Sequence, residues 1–169
     1  MSDHFSRDNV FGKTLLKWWQ DLEDDRASRA ILRRAPTVTA LTLSAPYQRL
    51  FRRFQAIGWN ADSVAWRNDR FAAIVGLVAH VSEDRPGAPA KAMSYKPPGE
   101  DRPPVSELRF TRLLESPDID SLFVGLRRTL PLMEHRIDVI ALADDILHWG
   151  DDRKKRWAYA YEWPARAND

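Results

Sequence analysis

The stretch AAIVGLVAHV, residues 72–81, decides how this chain folds. Apart from Gly76 and His80 every side chain in it is aliphatic. A helix through it has no polar face to give to solvent, so other elements must enclose it on nearly all sides. The helix is expected to run from Ser63 to about Ser82, with the polar WRNDR of 66–70 in its first turns. It is the natural centre of the core.

The flanking sequence supplies the helices that would cover it. Upstream, in SAPYQRLFRRF at 44–54, Ser44 is placed to cap a helix and Pro46 fits its first turn, where a missing N–H costs nothing. Tyr47, Leu50, Phe51 and Phe54 then form an apolar stripe, and Gly58 ends the helix. Further upstream a basic helix runs from about Arg26 to Arg34 and stops before Pro36. The first helix spans roughly Val10 to Leu22, where Phe11, Leu15, Trp18, Trp19 and Leu22 recur at spacings of three and four.

Downstream, residues 83–104 (EDRPGAPAKAMSYKPPGEDRPP) hold six prolines and two glycines and read as one long loop without secondary structure of its own. Helices follow near 105–115, 119–130, 138–149 and 151–162, with connections short enough to make neighbours antiparallel. No stretch alternates apolar and polar residues as a half-buried strand would. The expected fold is all-α: a compact bundle of about eight helices with one proline-rich loop. It forms a single domain over 1–169, with a helical half at 1–82, the variable loop at 83–104 and a C-terminal bundle at 105–163.

Composition fits this picture. With 169 residues, 44% hydrophobic and 30% charged, the chain has enough apolar material for a real core and is unlike a disordered sequence. It has no cysteine, which excludes a disulfide scaffold, a thiolate zinc site and a cysteine nucleophile. No window approaches membrane-spanning length, and the N-terminus lacks a signal-like apolar run. A cytoplasmic protein with no membrane association is expected.

The net charge of +2 conceals an asymmetry, because 20 of the 26 basic residues are arginine and 6 are lysine. Arginine is the side chain suited to planar, bidentate phosphate contact. Arg26, Arg29, Arg33 and Arg34 mark one helix; Arg49, Arg52 and Arg53 another; Arg67 and Arg70 the start of a third. In LRFTRLLESPDIDSLFVGLRRTL, residues 108–130, Ile119, Leu122, Phe123, Leu126 and Leu130 share a stripe about 100° wide. Arg128 points away from that stripe and Arg127 lies on its flank, while Arg109 and Arg112 share a face of the preceding helix. Val105, Leu108, Phe110, Leu113 and Leu114 lie around that helix, which is therefore expected to be buried on more than one side. RKKR at 153–156, with Lys154 and Lys155 at its centre, adds another basic run. Several basic helix faces feeding one groove would read phosphates and not bases; set singly on the surface, the same arginines would only meet Glu107, Glu115 and Asp118 in weak ion pairs.

Catalytic patterns are missing. There is no Walker loop, GxGxxG, HExxH or nucleophile elbow. Asp144, Asp145 and His148 in DDILHWGDD have helical spacing, yet a metal-dependent nuclease would need further ligands from elsewhere. His80 reads as a hydrogen-bonded core or boundary histidine and not a general base, and His4 and His135 fall in a terminus and a loop. No catalytic residue, metal or cofactor is expected. Of the seven tryptophans, most suit the core; Trp66, beside Arg67 and Arg70, is the one whose role stays open.

Taken in order, WWQDLEDDRASRAILRR, SAPYQRLFRRF, IVGLVAHV, VSELRFTRLL, LFVGLRRTL and LADDILHWGDDRKKRWAYAYE resemble the CasB family, the small subunit of the type I-E CRISPR Cascade complex. The resemblance covers nearly the whole chain except 83–104. It implies an all-helical, non-enzymatic subunit present as a pair of copies beside the backbone subunits that carry guide RNA, helping to hold target and displaced DNA strands when the R-loop opens. It carries a basic surface over to Arg34, Arg109, Arg112, Arg127 and Arg128. Some relatives have a basic pair after the tryptophan-glycine, where this chain has Asp151 and Asp152. The alternative is a scaffold whose arginines meet only acidic protein surfaces. The nucleic-acid-binding set is thus Arg33, Arg34, Arg53, Arg70, Arg109, Arg112, Arg127, Arg128, Lys154 and Lys155.

Overall fold

A computed structural model describes residues 4–59 and 65–166. Ten helices follow one another: α1 (Val10–Asp21), α2 (Arg26–Arg34), α3 (Val38–Thr42), α4 (Ala45–Ala56), α5 (Ala65–Val78), α6 (Pro89–Ser94), α7 (Glu107–Leu114), α8 (Ile119–Thr129), α9 (Val139–Leu147) and α10 (Asp151–Ala160). Two residue pairs, Glu83 with Arg136 and Asp84 with Ile137, form a minimal parallel ladder of β1 (Glu83–Asp84) and β2 (Arg136–Ile137). The fold is mostly helical, as expected, and corrects the expectation in detail. Among the described residues there are ten helices where about eight were read, and the ladder was not foreseen. Ser63, read as the start of the central helix, lies outside the described residues.

Local chemistry explains where the helices begin. Side chains of Asn9, Asp25, Thr37, Ser44, Ser106, Asp118 and Asp138 each accept a hydrogen bond from a backbone N–H in the first turn that follows. Each cap satisfies a donor that the helix cannot satisfy internally. Pro131 does not continue α8; residues Leu130–Met133 tighten into a 3-10 turn, and Glu134 and His135 then take left-handed φ values of 56° and 58°.

As the aliphatic run requires, α5 is the hub. Residues 71–79 are all buried, and α5 packs against α2, α3, α8 and α9. Gly76 permits the closest approach, since a Cβ there would press into Leu41 of α3 and come within 3.1 Å of the Phe123 ring of α8. Around the N-terminal part of α5, Phe5, Phe11, Phe54, Trp59 and Phe71 pack ring against ring, with centroids 4.8–6.3 Å apart. Burial of five such rings is a large share of the apolar driving force.

The proline-rich segment is not the structureless loop its composition suggested. It contributes β1 and α6, with Pro89 in the first turn. Its ends are tied, because Val105 N donates to Met93 O at 3.0 Å and Glu162 N to Ser94 Oγ at 2.9 Å. Residues 95–102 stay exposed between those ties. A second correction concerns α7. Val105, Phe110 and Leu113 are buried, but Leu108 is 59% exposed, so only one side of the helix is covered.

Candidate nucleic-acid interface

Three of the arginines singled out by sequence are committed to backbone carbonyls at the ends of neighbouring helices. Arg33 Nε donates to Ala79 O at 2.7 Å just beyond α5, and Arg127 donates to Arg33 O at 3.0 Å at the end of α2. Arg70 donates to Leu147 O at 3.0 Å and Trp149 O at 2.8 Å, at the end of α9. Carbonyls in the last turn lack intrahelical partners and carry the negative end of the helix dipole, so a cation there satisfies both needs. Burial lowers the pKa of Arg33, with Arg29 adding to it, and burial lowers that of Arg70. Arg70 also lies over the Trp66 ring at 4.9 Å, while Trp66 itself is 55% exposed.

Where Arg33 and Arg127 meet, His80 is held neutral. Burial, followed by the charges of Arg127 and Arg33 and the neighbouring His135, pushes its pKa down to about 4. This agrees with a boundary histidine and not with a hydrogen-bonded core one, since its Nε2 is buried without a hydrogen-bond partner among the described residues.

The acids of DDILHWGDD are knitted into the fold. Arg153 reaches Asp144 at 3.0 Å and Asp145 at 2.8 Å, Trp157 Nε1 donates to Asp145 at 2.8 Å, and Phe5 N donates to Asp144 at 2.9 Å. Burial raises the Asp145 pKa despite the bonds from Trp157 and Arg153. His148 Nδ1 stands 3.4 Å from Asp144 Oδ1. Among the described residues no three His, Cys, Asp or Glu side chains gather as metal ligands. Arg153 thus leaves the basic run as a structural residue, while Lys154 is half-buried and Lys155 exposed on α10.

Arg109, Arg112 and Arg128 behave differently. All three are exposed, none makes an ion pair or side-chain hydrogen bond among the described residues, and all three line one groove of about 820 Å³ between α7 and α8. The groove lies where α7 and α8 pack against each other about the short 115–118 connection. Arg109 and Arg112 stand on one wall, about 4.5 Å apart along the axis by helical rise, and Arg128 stands on the other. Val124 and Leu132 line it as well, and Glu115 and Asp120 sit at the end nearest that connection. Arg127, adjacent to Arg128 in sequence, is turned out of the groove towards α2. Arg34 and Arg53 are exposed on α2 and α4 and do not line it.

Sequence reasoning missed the apolar part of this groove. Leu132 lies beyond the last α8 residue and is 38% exposed only because the chain turns at Pro131. The proline was the available signal.

The family described as CRISPR-associated protein Cse2 matches residues 28–161. Among solved structures, a chain of E. coli Cascade bound to a PAM-containing dsDNA target is similar, with a TM-score of 0.68 and 22% identity. The match covers 88% of this chain and 92% of that one, and at such identity the likeness is one of fold. No curated protein matches the sequence.

Proposed function

The chain belongs to the CRISPR-associated Cse2 family, and from that premise we propose that it is a non-catalytic subunit of an RNA-guided, Cascade-type surveillance complex in antiviral defence. In this reading it binds nucleic-acid backbone through arginines on rigid helices and so stabilises the R-loop, contacting target and displaced strands. Its partners are the other Cascade subunits with their guide RNA and a second copy of itself.

One observation carries the reading: Arg109, Arg112 and Arg128, from two helices, face a shared groove, and no carboxylate among the described residues is bound to any of them. Exchanging a DNA duplex for an RNA–DNA heteroduplex is nearly balanced in energy, so modest backbone contacts tip the outcome. Guanidinium groups on capped helices supply such contacts from a backbone already fixed by the fold.

The competing reading, a scaffold that touches only protein, draws on the exposed Tyr95, Leu108, Tyr159 and Trp163. Titrating a fluorescent single-stranded oligonucleotide at several salt concentrations separates the two. If each groove arginine neutralises one phosphate, the combined Arg109→Ala, Arg112→Ala and Arg128→Ala variant loses about 2 from the slope of log affinity against log salt, at about 0.7 per phosphate. Unchanged affinity and slope in a folded variant refute the binding reading and leave the scaffold.

A further inference from the structure

We propose that Arg33, His80, Arg127 and His135 together form a site for one small inorganic anion of the size of chloride, at the junction where α2, α5 and α8 end. The site is separate from the α7/α8 groove and does not depend on what that groove binds.

Positive and titratable groups gather here from distant parts of the chain. Arg33 closes α2 and donates through Nε to Ala79 O at 2.7 Å, and Arg127, in the last turn of α8, donates to Arg33 O at 3.0 Å. His80 lies just past α5. His135 is held against it by the turn after α8, where Ser82 N donates to His135 O at 2.8 Å. Glu134 and His135 keep left-handed φ values of 56° and 58° in that turn. Such values strain residues other than glycine, so two in succession are a conformation that the surrounding contacts enforce.

The charge of the junction is not balanced. Arg127, Arg33 and His135 all act with burial to oppose a proton on His80, and Arg29 adds its charge to that around Arg33. Among the described residues no carboxylate forms an ion pair with any of the four. Glu83 and Glu134, the acids closest in sequence, are bound to Arg136 at 2.9 Å and 3.3 Å. A cavity of about 240 Å³, lined in part by Glu23, Arg29, Ala79, Val81 and Ser82, opens beside His80.

Three nitrogens of the junction, His80 Nε2, Arg127 Nε and His135 Nδ1, are buried with no hydrogen-bond partner among the described residues. Unpaired buried donors are costly, and beside so much positive charge an anion satisfies them better than a neutral group does. Burial also sets the size of the ligand. A nucleic-acid phosphate carries a sugar on either side and cannot follow to atoms that solvent does not reach, whereas a single ion can. A charged imidazole donates from both nitrogens and a neutral one from only one, so the anion binds the charged form of His80 more tightly. By linkage the bound anion must raise the pH at which His80 takes its proton, which the surrounding cations hold near 4.

The full chain is studied at constant ionic strength with sodium chloride exchanged for sodium gluconate, whose anion is too large for the junction. We expect chloride to raise the urea midpoint with saturation. It should also raise the midpoint of the His80 ring-proton titration, followed by NMR, by about 1 pH unit or more, equal to a tenfold tighter hold on chloride by the charged ring. Arg127→Gln removes one of the charges and should abolish both effects, while Arg156→Gln, on the exposed side of α10, should keep them. If Arg127→Gln fails to fold, His135→Gly serves in its place, because glycine suits the left-handed turn and lacks the ring. Equal midpoints in the two salts show that the three nitrogens bind only water and overturn the inference. A chloride effect that rises without saturating, or that survives in Arg127→Gln or His135→Gly, overturns it too. If oligothymidylate in gluconate shifts the His80 titration and chloride does not, the site belongs to a nucleic-acid phosphate and the inference fails.

Discussion

Arg127 and Arg128 are neighbours in the chain with opposite surroundings. The guanidinium of Arg127 reaches the carbonyl of Arg33 at 3.0 Å, and that of Arg128 faces the groove. Arg127→Ala leaves a half-buried carbonyl at the end of α2 without its donor. It is expected to cost about 1–2 kcal/mol, read as a lower urea midpoint. Arg128→Ala should shift stability by less than about 0.5 kcal/mol while weakening oligonucleotide binding. Reversal of that pattern would show that the two residues have been assigned the wrong way round. His80 gives a pH prediction. Unfolded, it takes a proton near its ordinary value of 6.5, and folded only near 4, because burial and the charges of Arg127 and Arg33 beside it oppose the charged form. Between those values the unfolded state binds more protons, so this contribution is intact above about 6.5 and is lost as pH falls towards 4. The stability difference between pH 7 and pH 5 should therefore be smaller in His80→Gln than in the wild type, as measured by chemical denaturation. An identical difference would remove His80 as its source.

At the scale of elements, the segment preceding α1 is tied to distant parts of the chain. Phe5 is buried among aromatic rings, and Arg7 bridges Asp84 and Asp138, each at 2.8 Å. Burial pushes the Asp84 carboxyl up, but the bond from Arg7 and the N–H of Val139 outweigh it and hold its pKa below the usual value. Arg7→Gln leaves two largely buried carboxylates without their cation. Because Arg7 is 37% exposed, the expected loss is about 2 kcal/mol, below the 3–5 kcal/mol of a fully buried pair. An unchanged urea midpoint would contradict this. Long helices with a clear stripe, such as α1, α4 and α8, were legible in the sequence to within about two residues. The five-residue α3 was not, because VTALT is too short to show a period and its β-branched residues favour helix weakly. Nor was α6, which tertiary ties hold within a segment that composition alone marks as a loop.

For the whole molecule, one apolar cluster runs from Phe5 to Tyr161 and joins both halves of the chain through α5, which meets α8 and α9 as well as α2 and α3. Because no apolar boundary separates residues before and after the proline-rich segment, a single cooperative unfolding transition is expected. Its calorimetric and van't Hoff enthalpies should agree. Two resolved transitions would mean that the halves fold independently.

Periodicity, caps and composition determined the mostly helical class and the buried central helix, because those depend on interactions within about one helical turn, while the family resemblance rested on the order of whole motifs. The fate of each arginine depended on tertiary structure. Nothing local to Arg33, Arg70 or Arg127 shows that a helix from elsewhere ends within reach of its guanidinium. Nothing local to Arg109, Arg112 and Arg128 shows that the 115–118 connection folds their helices into opposing walls of one groove. Helical spacing specifies the face on which a charge lies; the packing of one helix against another decides what that face meets.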